Sequence, residues 1–153
     1  MSMLGTHDSR LVNDMISVCH DGKEFYQDAA KSVENPSLKA LFTEMADIRN
    51  SIETDLKGRV EMMDEKPDSS GTVIGKLRHV YTNVITEMSD KPDYRYVEQL
   101  EEAEDDALHT FRKATRKIED PALSLRLMRH VEKIQQTHDR MSHLKHSMKP
   151  TQH

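Results

Sequence analysis

A chain of 153 residues with 32% charged residues, a formal charge of -5 and one cysteine cannot rest on an internal disulfide framework, and its length allows roughly 70% of the unfolded surface to be buried without a staple. No apolar run approaches the roughly 20 residues of a bilayer span, and Lys and Arg are interspersed with acids rather than gathered on one face, so neither a membrane nor a nucleic acid is an expected partner. With 5% aromatic residues, no Trp and 10 Met, the composition suits helices packed through Leu, Met and Ala and offers nothing for strands. The lone thiol and the absence of a basic-then-apolar N-terminal stretch lead to the expectation of a single soluble domain, 1–153, in the cytoplasm.

From Asp8 to Glu34, apolar residues at spacings of three and four (Leu11, Met15, Val18, Phe25, Ala29, Val33) predict one long amphipathic helix. Asn35-Pro36-Ser37-Leu38 then makes a corner, because Asn caps the free N–H groups of a helix and Pro at its first position has no N–H to leave unpaired. A second helix runs from Pro36 to about Asp64, with Leu38, Phe42, Met45, Ile52 and Leu56 inward and with Arg49 and Glu53 on the border of that stripe. Residues 8–64 therefore form a helical hairpin.

Lys66-Pro67-Asp68-Ser69-Ser70-Gly71 breaks the pattern as a loop. A shorter connecting helix, 72–88, follows, and its surplus apolar positions Val80, Tyr81, Val84 and Ile85 could serve a homodimer. A third long helix runs from Asp93 to about Glu119, with acids in its first half and bases in its last turns, as the helix dipole favours. Asp120-Pro121-Ala122-Leu123 repeats the first corner, and a fourth helix continues to Met148, so 93–148 is a second hairpin.

The corner prolines stand 85 residues apart. At that offset Leu38 meets Leu123, Phe42 meets Leu127, Tyr26 meets Phe111, Ala29 meets Ala114 and Val33 meets Ile118, so the chain reads as one hairpin built twice.

Chemistry is sparse. Glu104 and His138 fall on the inward seams, lie at similar counts either side of Asp120-Pro121, and are expected to face each other; Glu53 matches His138 at the repeat offset. Two carboxylates and an imidazole inside a bundle are donors suited to iron or manganese, which makes Glu53, Glu104 and His138 the candidate metal residues. The structural alternative is a hydrogen-bonded Glu–His pair, with the remaining groups satisfied by Arg49, Gln135 or water. No Glu-x-x-His occurs anywhere, and Asp106-x-x-His109 is the nearest approach. His20-x-x-x-Glu24 is an isolated helical pair, Asp139, His143 and His146 form a surface cluster, and Cys19 sits on the apolar stripe as packing.

Asp21-Gly22 with Tyr26, Pro36-x-Leu38-Lys39-x-Leu41-Phe42 with Arg49, Gly71-Thr72-x-x-Gly75, Leu100-Glu101-Glu102-x-Glu104-Asp105 and His138-Asp139-Arg140, in this order, resemble a family of small bacterial four-helix-bundle domains of unknown function in the ferritin-like superfamily. The resemblance implies an all-α, ferritin-like bundle of two hairpins plus a connecting helix, with the hairpins related by a pseudo-two-fold axis. It implies no established activity, and the missing Glu-x-x-His sets this chain apart from the superfamily's iron chemistry. If the connection spans the bundle, the two corners lie at opposite ends; if it folds out and back, Glu53, Glu104 and His138 are level. The sequence permits both.

The functional expectation is a non-enzymatic structural or partner-binding protein, stress-related, without a cofactor and acting with a second copy or another protein. Two alternatives stand beside it. One is a metal-binding protein or divergent di-metal oxidase using Glu53, Glu104 and His138; the other is an acidic face over Glu98 to Asp106 that binds a basic partner.

Overall fold

Each proline corner stops one helix and starts the next, because the residue before proline is sterically kept out of the helical region. In the computed structural model, which describes residues 6–62 and 93–148, the helices are α1 Thr6–Ser32, α2 Pro36–Met62, α3 Asp93–Lys117 and α4 Pro121–Met148. Helices of 25 to 28 residues are roughly 40 Å long, the scale of four-helix-bundle members. Among the described residues there are four helices and no strand, and no helix is long and apolar enough to cross a membrane. The expected loop and the connecting helix 72–88 lie outside the described residues.

The corners are closed by a reciprocal device. Asn35 Oδ1 accepts from the N–H groups of Ser37 (2.8 Å) and Leu38 (3.3 Å), and Asp120 Oδ2 accepts from Leu123 N–H (2.8 Å), which are the predicted caps. A further Asp then reaches each corner from the other hairpin. The Asp93 carboxylate, in the first turn of α3, accepts from the N–H groups of Glu34 (3.2 Å) and Asn35 (3.0 Å). That of Asp8, in the first turn of α1, accepts from Glu119 (2.9 Å) and Asp120 (3.1 Å). Asp8, Glu119 and Asp120 stand 85 positions from Asp93, Glu34 and Asn35, so the two contacts are one contact made twice. These bonds also explain why α1 and α3 stop two residues before the predicted ends at Glu34 and Glu119: the N–H groups there leave the helical ladder for a carboxylate.

The caps set the topology. The start of α3 sits at the α1–α2 corner and the start of α1 at the α3–α4 corner, so α1 runs antiparallel to α3 and the corners lie at opposite ends. Pairs between Glu44 and Arg140 and between Asp55 and Arg126 likewise make α2 and α4 antiparallel. Met62 and Asp93 therefore stand at opposite ends of the bundle, and of the two arrangements left open by the sequence this is the one with separated corners.

The core follows the predicted stripes. Met15, Val18, Phe25, Phe42, Leu56, Leu100, Phe111, Leu127 and Ile134 are all buried, and each such side chain contributes about 1.5–3 kcal/mol relative to exposure. Leu11, expected inward, lies at the edge of this core as a partly buried residue, as do Val131, Leu144 and Met148 of α4.

Removing either interhelical cap should destabilise the fold. Asp8 is buried and Asp93 is only partly so, so the N–H groups stranded by Asp8→Ala cannot turn to water. Urea denaturation is expected to show a loss of about 2 kcal/mol for Asp8→Ala and about 1 kcal/mol for Asp93→Ala; the reverse order would refute this account of the corners.

Candidate functional site

At mid-bundle the four helices each contribute one polar side chain to a single buried group. Arg49 follows Met45 by one turn and precedes Ile52 on the core face of α2, so helical geometry carries it inward, and it is fully buried. Its Nη2 lies 2.5 Å from Glu104 Oε2 of α3, itself 1% exposed. Tyr26 of α1 donates its hydroxyl to Glu104 Oε1 at 2.5 Å. Thr137 of α4 donates to the Ile134 carbonyl at 2.8 Å, and its hydroxyl also lies 3.5 Å from Glu104 Oε2. A carboxylate removed from water needs a counter-charge and hydrogen bonds on both oxygens, and Glu104 has them.

Cys19 lies beside this group. Burial pushes its thiol up to about 12, with Arg49 acting in the opposite direction and Glu53 and Glu104 adding to the rise. The thiol is therefore protonated at neutral pH, and a protonated buried thiol is a poor nucleophile.

Two smaller ion groups flank the centre. Glu53 of α2, almost fully buried, contacts Lys57 (2.9 Å), Lys23 (3.0 Å) and His20 Nδ1 (3.2 Å). Burial pushes its pKa up, but hydrogen bonds from Lys57 and Lys23 and their charges outweigh this and hold the carboxyl below its ordinary value. His138 of α4 contacts Asp105 (3.2 Å) and Glu101 (3.7 Å) of α3 through Nε2, and Asp139 (3.2 Å) through Nδ1. At the offset of 85, the His20–Glu53 contact becomes Asp105–His138: the same contact with acid and base exchanged.

The structure thus separates the three candidate metal residues. Glu104 meets Arg49, Tyr26 and Thr137; Glu53 meets His20 and two lysines; His138 meets Asp105 and Glu101. The expectation that Glu104 and His138 face each other is corrected here. Thr137 occupies the place opposite Glu104, and His138, about 100° further round the helix, points to the α3–α4 edge. The donor set does not fit a divalent cation, because Arg49 sits on Glu104 and Lys23 and Lys57 sit on Glu53, so each buried carboxylate already has a positive partner. Among the described residues one group gathers three ligand-type atoms, His7, Asp8 and Glu119 at the α3–α4 corner. His7 and Glu119 are exposed, and both Asp8 oxygens already accept backbone N–H groups.

The repeat pairs Tyr26 with Phe111, and nothing in the local pattern marks the role of its hydroxyl on Glu104. The repeat held a signal for the whole group: Tyr26, Arg49, Glu104 and Thr137 correspond to Phe111, Ile134, Cys19 and Ile52, all apolar and buried. One half of the duplication is polar where the other is oily.

Across the α2–α4 seam, Arg126 binds Asp55 through Nη2 (2.6 Å) and Nε (3.0 Å), and His130 Nε2 lies 2.7 Å away. The Arg126 hydrogen bonds, against an upward push from burial and with further help from His130, bring the Asp55 carboxyl down to about 2.

The family described as "Domain of unknown function (DUF2383)" matches residues 9–117, a span that holds Tyr26, Arg49 and Glu104 and stops short of α4. No curated protein and no solved structure matches the chain.

Three outcomes check the geometry. Arg49→Leu leaves the Glu104 charge buried with hydroxyl partners alone and should cost about 3–5 kcal/mol, while Arg49→Leu with Glu104→Leu should recover most of that loss; additive losses in chemical denaturation would deny the direct coupling. Cys19 should react with a thiol reagent only at the rate of unfolding. Asp55 has a lowered folded-state value, so its bridge stabilises fully above about pH 4 and the contribution is lost as pH falls toward 2; NMR titration of Arg126→Ala should move the Asp55 midpoint up toward the ordinary carboxylate range.

Proposed function

The chain belongs to the family described as a domain of unknown function (DUF2383), and we propose that it acts as a non-enzymatic, partner-binding helical module of the ferritin-like type, working in the cytoplasm. The observation that carries this reading is the Arg49 guanidinium on Glu104 at the centre of the bundle. In a ferritin-like metal bundle, inward carboxylates from facing helices are held open for cations. Here a cation of the protein itself takes that place, and Tyr26 takes the second oxygen. Glu53 is matched in the same way by Lys23 and Lys57. With these interior charges matched and the central thiol protonated, neither a ligation position nor an activated nucleophile is left inside among the described residues, and the exterior is what remains for recognition. Separated corners and antiparallel α1–α3 and α2–α4 pairs support the ferritin-like assignment.

Elemental analysis of the purified, untagged protein tests this reading, both as isolated and after loading with ferrous iron or manganese followed by dialysis. The expected result is no retained metal. Near-stoichiometric iron or manganese that disappears in Glu104→Gln or His138→Ala would replace the proposal with the di-metal alternative.

A further inference from the structure

The α2–α4 seam is bridged by the ion pairs of Asp55 and Glu44 and is hollowed along its outer side. Three hollows of about 290, 280 and 520 Å³ lie in line along it. The first holds Met62 and Leu125, which are 72% and 58% exposed, beside Arg59 and Arg129. The second has charged residues among its lining, Asp55, Arg129 and Lys133 included. The last holds Leu41 and Leu144 beside Arg140.

Charge along this groove runs against that of the whole chain. The lining contains the cations Arg59, Arg126, Arg129, Lys133 and Arg140 against the acids Asp55, Asp120 and Asp139, in a protein of formal charge -5. Asp55 is already bound by Arg126, and Asp120 caps α4 through the Leu123 N–H. Arg129 and Lys133, one helical turn apart and exposed, have no ion-pair partner among the described residues.

The geometry points to a docking groove for an amphipathic helix of another protein, one with apolar residues toward both ends and Asp or Glu on its middle turns. This rests on the partner-binding reading above and names the partner's chemistry. From Leu41 to Met62 the line of hollows, bridged by the Glu44–Arg140 and Asp55–Arg126 pairs, follows α2 for about 30 Å, far longer than a small anion needs and close to the length of a docked helix. Apolar side chains at its two ends with free cations between them complement such a helix and no bare polyanion, which would leave the exposed Met62 and Leu125 uncovered. Met and Arg, both present around this groove, are also residue types enriched at interfaces.

The probe is a fluorescein-labelled synthetic helix of about 18 residues, with Leu on one face at helical spacing and Glu on the flanks of its middle turns, measured by anisotropy against the full chain. A control peptide has Lys in place of each Glu. The expected result is saturable binding of the acidic peptide, at least about tenfold weaker binding of the Lys peptide, a similar loss in Arg129→Glu/Lys133→Glu, and several-fold weakening between about 0.05 and 0.5 M salt. Both substituted residues are exposed and unpaired, so circular dichroism should show the variant folded. The proposal is overturned by equal binding of the two peptides, by no saturable binding up to about 1 mM, or by tighter binding of a single-stranded oligonucleotide than of the peptide. A dimer of the free protein that the double variant dissociates, seen by sedimentation velocity, would assign the groove to a second copy and overturn it too. Retained metal would sink the ion-pair-closed reading without touching peptide binding, and failed peptide binding would leave that reading standing, so the two can be told apart.

Discussion

A carboxylate at the centre of a helical bundle has no water to turn to, and Glu104 is tolerated only because Arg49 and Tyr26 reach its oxygens and Thr137 lies beside them. Each of these residues comes from a different helix. Rotating or sliding any one helix by a residue would strip the charge of a partner, at a cost far above that of a slipped apolar contact. The group therefore fixes the mutual register of all four helices, which apolar packing between Leu, Met and Ala specifies less sharply. It also fills the centre with matched charge.

The duplicated hairpin explains how the ends are fixed. Neither hairpin completes its own corner: Asp93 finishes the corner before Pro36, and Asp8 finishes the one before Pro121. Local sequence can cap a helix start, but the N–H groups of the two preceding residues are satisfied only when the hairpins dock. The pseudo-two-fold relation holds at these ends and in the exchanged His20–Glu53 and Asp105–His138 contacts. At the centre it is broken, with Tyr26, Arg49, Glu104 and Thr137 facing an apolar counterpart of Phe111, Ile134, Cys19 and Ile52. A symmetric polar core would bury two costly ion pairs, and a symmetric apolar one would distinguish registers poorly. One ion pair gives a unique register at a single desolvation cost.

The family match spans α1 to α3 and so covers Tyr26, Arg49 and Glu104 of the central group, while Thr137 and the Arg126 to Lys133 stretch of α4 lie outside it. Arg126 and His130 hold Asp55 across the seam, whereas Arg129 and Lys133, on the same helix, are exposed.

The sequence by itself determined the four long helices, both proline corners, the offset of 85 and most of the core, because helical periodicity, capping and the stereochemistry of proline are local properties. It also marked Glu53, Glu104, His138 and Arg49 as polar residues on or beside inward stripes. Tertiary structure alone decided what these groups meet. A helical projection places a side chain only to within about one residue, or 100° of rotation, and that was enough to put His138 opposite Glu104 where Thr137 stands. The reciprocal roles of Asp8 and Asp93, the hydroxyl of Tyr26 on Glu104 and the cation-lined seam between α2 and α4 all join residues far apart in the chain. Their energies arise only when the two hairpins meet, so no local pattern records them.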